Sequence, residues 1–322
     1  MQIDNSLAIL IPLYKSEGNI ESALDYVDEL SQLLKVNLFI RFIIDGRVED
    51  YNDLIIKVKS KKVNWNYDIM ILAKNFGVGP ALIAGLQDIK TEFVTSFGAD
   101  LQEPKSLFLE MLHVMRNGEA DLCLGVRNSR RDPLIHNLGA RIFWKINRYI
   151  LGKEVPSGGF DVFMINQSVK ESMLTLKELN TNFTSQMFWI GFKRKFIYFD
   201  RIERKIGKSS WTFRKKLKLF FDSIYGFSDL PIKVILYLSY ILIFSSALFL
   251  LLNLYFKLNG FVQIPGYYTV ASLITLGNGI NFFFLSIIGS YVYRTFQNST
   301  ERPPFIIKGL ITKDDVEEKR LI

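Results

Sequence analysis

The sequence predicts an α/β protein with a mostly parallel sheet, followed by a part that meets a membrane. Three observations lead there. Short apolar runs of strand length alternate with longer amphipathic segments between Leu7 and Val126, and each crossover between parallel strands needs such a helix. Tyr14, Asp45, Lys74, Asn75 and Asp100 fall at the ends of apolar runs, where open α/β sheets place their sites. Two long stretches, Val234–Phe256 and Phe261–Tyr293, hold no charged residue, which is the signature of membrane-spanning helices.

The elements follow in order. Residues 7–13 are apolar throughout and read as a buried strand. Asn19 is placed to cap a helix to about Lys35, with Ile20, Leu24, Val27 and Leu30 on one stripe. A second strand runs from Leu38 to Ile44 and ends in Asp45-Gly46. A helix over 50–60, a strand over 67–72 and a helix over 79–90 come next, then a strand over 93–97. Pro104–Asn117 is expected as a helix, Asp121–Val126 as a strand and 135–151 as an amphipathic helix. No G-x-G-x-x-G follows the first strand, which argues against a dinucleotide enzyme.

Composition narrows the class. Of 322 residues, 49% are hydrophobic, and the mean hydropathy of +0.16 is high for a wholly soluble protein. A net charge of +8 suits an anionic partner such as phosphate, nucleic acid or an acidic membrane face. Cys123 is the single cysteine, so no internal disulfide forms and a reducing compartment is expected. The first residues lack a basic segment and a long apolar core, so no signal peptide is expected.

The densest chemistry lies in 92–105. Phe93 to Phe97 is apolar, and Asp100, Gln102 and Glu103 follow within a few residues. A carboxylate and an amide oxygen two positions apart suit Mg²⁺ or Mn²⁺ carrying phosphate oxygens. A strand end followed by a helix start is the plainer alternative. Asp45 can accept from a base N–H or a ribose hydroxyl, or can simply make a turn before Gly46. Arg127, Arg130 and Arg131 form either an anion site or a solvated loop. Asp161 closes the Gly-rich run 156–161, as a base beside an acceptor or as a structural turn residue.

These segments resemble family 2 glycosyltransferases, above all polyprenyl-phosphate glucosyltransferases and dolichyl-phosphate mannose synthases. Gly98-Ala-Asp-Leu-Gln-Glu-Pro104 is similar to D-x-D-L-Q-[DE]-P, Ile11-Pro-Leu-Tyr14 to I-P-x-Y/F, Ile43–Gly46 to V-D-D-G, and Ala73–Gly77 to R-N-x-G. Arg204–Trp211 resembles R-x-x-G-x-S-K-[WY], and 287–303 the I-I-G-E-Y-x-x-R…R-P ending. Gly98, Ile44, Ser210 and Ser290 depart from the pattern. The resemblance implies a GT-A-type, Rossmann-like catalytic domain. It implies that Pro12, Tyr14, Asp45, Lys74, Asn75, Asp100 and Gln102 bind a nucleotide sugar, with the metal on Asp100 and Gln102. Asp161 takes the catalytic position by the same resemblance. Arg127, Arg204, Lys205, Lys208 and Ser209 would bind donor or lipid phosphate. Without a carboxylate at Gly98 the metal site is expected to be weak.

The expected organisation is a catalytic domain over 1–212, an amphipathic juxtamembrane helix over 213–231, two transmembrane helices within 232–293 and a tail over 294–322. Lys215, Lys216, Lys218, Lys233, Arg294 and Arg302 flank the uncharged runs, while the link between them has only Lys257. The positive-inside rule then puts both termini in the cytoplasm and 257–266 outside, in the plasma membrane. Two buried core helices are the alternative. The expected reaction moves a hexose-like sugar to a polyprenyl (undecaprenyl) phosphate, with inversion. The partners are nucleotide sugar, polyprenyl phosphate and bilayer, and homo-oligomerisation is compatible with this. A transferase acting on a lipid-linked glycan and a catalytically weak binding or assembly protein are the other readings. Nucleic acid is not an expected partner, because the basic cluster is juxtamembrane.

Overall fold

The computed structural model describes residues 5–14, 19–46, 48–61, 63–128, 159–176, 183–202, 267–300 and 302–317, with 148, 152, 154–156, 237, 255 and 259 between them. The chain falls into two compact units, Met1–Leu219 with Pro303–Ile322, and Phe220–Arg302. The expected helices over 135–151 and 213–231 lie outside the described residues, 148 excepted.

The first unit is an eight-stranded sheet with helices on both faces. Its strands are β1 (Ser6–Leu13), β2 (Asn37–Ile44), β3 (Asn66–Leu72), β4 (Phe93–Ser96), β5 (Leu122–Arg127), β6 (Val162–Asn166), β7 (Arg194–Phe199) and β8 (Ile307–Thr312). Their order across the sheet is β7-β5-β6-β4-β1-β2-β3-β8. The pairs β1/β2, β1/β4, β2/β3 and β5/β7 are parallel. β6 runs antiparallel between β4 and β5, and β8 runs antiparallel along β3. The mostly parallel α/β sheet expected from the sequence is therefore present.

Alternation along β1 shows why both faces are covered. Leu7, Ile9, Ile11 and Leu13 join one core with α1 (Ile20–Leu34), α2 (Val48–Lys61) and α4 (Lys105–Arg116). Ala8 and Leu10 join the other, with α3 (Val78–Leu86), α5 (Gln167–Thr175) and α6 (Phe183–Trp189). A strand apolar on both sides has no solvated face.

Three local details differ from expectation. Asn19 does not cap α1 with its side chain. Its backbone is already near-helical, at φ −103° and ψ −17°, rather than in the extended conformation a capping residue uses. Pro104 stands at the N-cap of α4 rather than inside its first turn. Helix α3 stops at Leu86, because Gln87 is extended and Asp88 has φ +58°. Buried Arg41 reaches the freed carbonyls of Gly85, at 3.1 Å, and Gln87. Its Nε also donates to buried Asp68 at 2.8 Å.

No strand is expected after Arg302, yet β8 closes the edge of β3. Ala73 N–H donates to the Ile306 carbonyl at 2.9 Å, so this strand also props the loop after β3. The short α8 (Lys313–Glu317) follows.

In the second unit, α7 (Tyr267–Ser299) is one helix of 33 residues. Val234–Phe256 falls outside the described residues apart from 237 and 255. Among the described residues no helix is long and apolar enough to cross a membrane, so the two-helix hairpin rests on the sequence alone.

Gly46 shows how tightly the end of β2 is packed. Its φ is +80°, and a Cβ there would lie 2.3 Å from the Lys74 carbonyl carbon. Gly118 also has positive φ, +64°, but nothing within 4 Å. Gly118→Ala should cost roughly 1 kcal/mol of stability from backbone strain alone. Gly46→Ala adds a backbone clash and should cost roughly 3 kcal/mol or more. Equal losses for the two variants in denaturant unfolding would refute the close approach.

Candidate functional site

The ends of six parallel strands and the starts of antiparallel β6 and β8 lie along one edge of the sheet. β4 and β2 flank β1, so the chain changes winding direction there, and a crevice opens outside the carboxyl ends. Pro12 is the penultimate residue of β1, and exposed Tyr14 follows the strand. Asp45 follows β2, exposed Lys74 and Asn75 follow β3, Asp100 and Gln102 follow β4, and Arg127 ends β5. Asp161 immediately precedes β6, and its N–H donates to the Gly125 carbonyl at 3.0 Å. Arg204, Lys205, Lys208 and Ser209 lie outside the described residues.

Asp45 is almost fully buried. Its carboxylate accepts from the N–H groups of Phe76, at 2.7 Å, and Gly77, at 3.0 Å. Burial pushes its pKa up, and the two amides pull the other way. The carboxylate thus ties the end of β2 to the loop entering α3. Lys74 Nζ sits 5.1 Å from the centre of the Phe76 ring, a cation–π contact on the same loop.

The 98–103 segment is a tight turn. Leu101 N–H donates to the Gly98 carbonyl at 3.1 Å, and Leu101 takes φ +52°, a left-handed conformation that costs a leucine about 1 kcal/mol or more. This strained residue separates Asp100 from Gln102 in the chain. Gln102 Nε2 donates to the Ile202 carbonyl at 3.3 Å, and Ile202 N–H donates to the Gln102 carbonyl at 2.9 Å. Gln102 Oε1 and Glu103 Oε2 are buried with no hydrogen-bond partner.

Around this turn the charges alternate. Arg127 forks onto Asp161, with Nη2 donating to Oδ1 at 2.6 Å and Nε to Oδ2. Arg201 Nη2 lies 3.6 Å from Asp100 Oδ2. Burial and the neighbouring Arg127 guanidinium push the Arg201 pKa down, against the pull of Asp161, Asp100 and Glu103. Burial, then the Asp100 carboxylate, raises Glu103 to about 7.

The structure therefore joins Asp100, Gln102, Arg127 and Asp161, four residues singled out in the sequence, and adds Arg201 and Glu103. In the sequence Arg201 is one of many basic residues between 193 and 218, and Glu103 stands out only as part of the acidic motif. Among the described residues no group of three or more His, Cys, Asp or Glu side chains is placed to hold a metal ion. The hard oxygens of Asp100 and Gln102 still suit Mg²⁺ or Mn²⁺ if a ligand brings the remaining oxygens. The unpartnered Gln102 Oε1 fits that role.

Carboxylates, an amide and guanidinium groups thus meet at the strand ends, and the chain belongs to glycosyl transferase family 2, whose model matches residues 8–196. It is an enzyme of that type. It is 26% identical to a putative glycosyltransferase, CsbB, of Bacillus subtilis (strain 168), over 94% of this chain and 91% of the relative. It is 25% identical to a prophage bactoprenol glucosyl transferase homolog of Escherichia coli (strain K12), over 94% and 98%. An uncharacterized glycosyltransferase of Synechocystis sp. (strain ATCC 27184 / PCC 6803 / Kazusa) is 29% identical over 94% and 95%. These matches run well past residue 196, so the likeness extends beyond the region the family model covers.

Glu103 gives the site a pH signature. Its folded-state pKa lies above the ordinary 4.5, so the folded chain binds the proton better than the unfolded one. Its contribution to stability is fully present below about pH 4.5 and is lost as pH rises through about 7, a change on the order of 3 kcal/mol. With chelator present, thermal midpoints between about pH 5 and 8 should fall more steeply for the parent than for Glu103→Gln. Parallel profiles would overturn the buried ionisable Glu103.

Proposed function

We propose that the chain transfers a hexose-like sugar from a nucleotide-diphosphate sugar to a polyprenyl phosphate such as undecaprenyl phosphate, inverting the sugar's C1. The observation that carries this is the cluster at the crevice, where the unpartnered oxygens of Gln102 and Glu103 accompany the Asp100–Arg201 and Asp161–Arg127 ion pairs. The acceptor class comes from relatives named bactoprenol glucosyl transferases, matched over nearly their whole length.

The donor's diphosphate would lie against the 98–102 turn, where the oxygens of Asp100 and Gln102 would hold Mg²⁺ or Mn²⁺. A cation bound there offsets the charge that develops on the departing nucleoside diphosphate. Asp45 keeps the loop carrying Lys74 and Asn75 beside the nucleotide, and Pro12 and Tyr14 flank it. The acceptor phosphate is already ionised near pH 7, so Asp161, with both oxygens in the Arg127 fork, orients it more than it deprotonates it. Arg204, Lys205, Lys208 and Ser209 supply the basic loop toward donor and lipid phosphates.

The membrane part of the proposal places Val234–Phe256 and most of Phe261–Tyr293 across the plasma membrane, as two helices. The catalytic unit and both termini are cytoplasmic. A reporter fused after Ile322 should be active inside the cell, and activity only outside would reverse the topology.

The reaction is tested with the full chain in detergent, a panel of nucleotide sugars and undecaprenyl phosphate. An acid-labile lipid-linked monosaccharide is expected. Elongation of a preformed lipid-linked glycan alone would overturn the acceptor assignment. Rates against Mg²⁺ and Mn²⁺ test the metal. Asp100→Asn should lose on the order of 100-fold. Gly98 is outside the left-handed region, but a Cβ there would lie 2.6 Å from Asp100 Oδ1. Gly98→Asp therefore requires Asp100 to swing aside, after which two carboxylates should lower the metal concentration needed. Full parent activity in excess chelator, with Asp100→Asn unaffected, would sink the metal role.

A further inference from the structure

Beyond β7 the chain turns across the open edge of the sheet, and hydrogen bonds set its path. Ile202 is 46% exposed, so burial of its side chain contributes little. The paired bonds between Ile202 and Gln102, at 2.9 and 3.3 Å, do the holding. They deliver Arg201 to Asp100, yet the 3.6 Å contact is too long for a hydrogen bond.

Among the described residues Arg201 makes this ion pair and no hydrogen bond. Its side chain keeps 30% of its surface exposed and carries five N–H donors. A partly exposed guanidinium held by one long ion pair keeps donors for a ligand's oxygens. Arg127 differs, because its fork is filled by both oxygens of Asp161. Beside Arg201, the acceptors Gln102 Oε1 and Glu103 Oε2 are buried and unpartnered. Donors and acceptors this near, which do not satisfy one another, are together satisfied by a group presenting both negative oxygens and a cation. A diphosphate carrying a divalent metal is such a group.

We propose that Arg201, rather than Arg127, is the guanidinium that binds the leaving diphosphate, and that the two Ile202–Gln102 hydrogen bonds hold it in register with the oxygens of Asp100 and Gln102. Arg127 instead positions Asp161. The assignment rests on the glycosyl-transfer reading above. It also gives the chain entering the basic segment after residue 202 a fixed starting point at the donor site.

The experiment is calorimetry on the full chain in detergent, with UDP, GDP and CDP each titrated in Mg²⁺. The proteins are the parent, Arg201→Gln, Arg201→Lys and Arg127→Gln. For the nucleotide the parent binds best, Arg201→Gln should weaken affinity roughly 10- to 100-fold. Arg201→Lys should fall between, because it keeps the charge but not the fork. Arg127→Gln should stay within about twofold. Parent-like affinity for Arg201→Gln overturns the proposal. So does an equal loss for Arg201→Gln and Arg201→Lys accompanied by equal falls in thermal midpoint, which marks a structural role. If Arg201→Gln instead raises only the KM for undecaprenyl phosphate, the anion is the acceptor's and the diphosphate assignment fails. If the parent binds none of the three nucleotides, the donor reading itself falls, and this proposal with it.

Discussion

The reversal of winding at β1 is the constraint on which the rest of the structure depends. Parallel strands cannot be joined by short turns, so each crossover carries a helix on one face. Helices α1 and α2 take one face as the sheet grows from β1 to β3, and α3 takes the other as the chain returns to β4. The loops at the carboxyl ends of β1 and β4 consequently diverge, leaving a crevice that no crossover covers. The polar ends of the apolar runs face this opening because the middle of each strand has no room for them.

Electrostatics then decide how that edge is arranged. Asp45 is committed to two loop amides, so its charge is spent on shaping the loop carrying Lys74 and Asn75. The Arg41–Asp68 pair, deep in the sheet, is weak evidence for stability in itself, since desolvation offsets attraction. Its structural consequence is clearer, because Arg41 also satisfies the carbonyls at the end of α3. At the crevice the balance differs. Asp161 is satisfied by Arg127, whereas Gln102, Glu103 and Arg201 keep hydrogen-bonding capacity unused by the described residues. That imbalance sets the cluster apart from a closed pair such as Arg41–Asp68.

Much of this was legible in the chain itself. The run Leu7–Leu13, the stripe Ile20, Leu24, Val27 and Leu30, and the break after Phe97 each encode their element through nearest neighbours. Their boundaries came within a few residues. Asp100 and Gln102 were readable as candidate ligands for a related reason, since two polar positions just past an apolar run must sit at a strand's open end. The early stop of α3 was not readable. Nothing in the apolar pattern through Leu86 announces that Arg41, far upstream, will take its last carbonyls.

The sequence by itself determined the alternating elements, the family and the polar residues at the strand ends, because periodicity and short motifs report on neighbours in the chain. Only the tertiary structure decided which of those residues meet. Arg127 and Asp161 are 34 positions apart, and Gln102 and Ile202 are 100 apart. Their contacts depend on β6 entering antiparallel between β4 and β5, and on β7 pairing parallel with β5. β8 likewise comes from beyond α7 to complete β3. Such pairings are chosen by the burial of whole faces across the sheet. No local pattern in the chain carries that information.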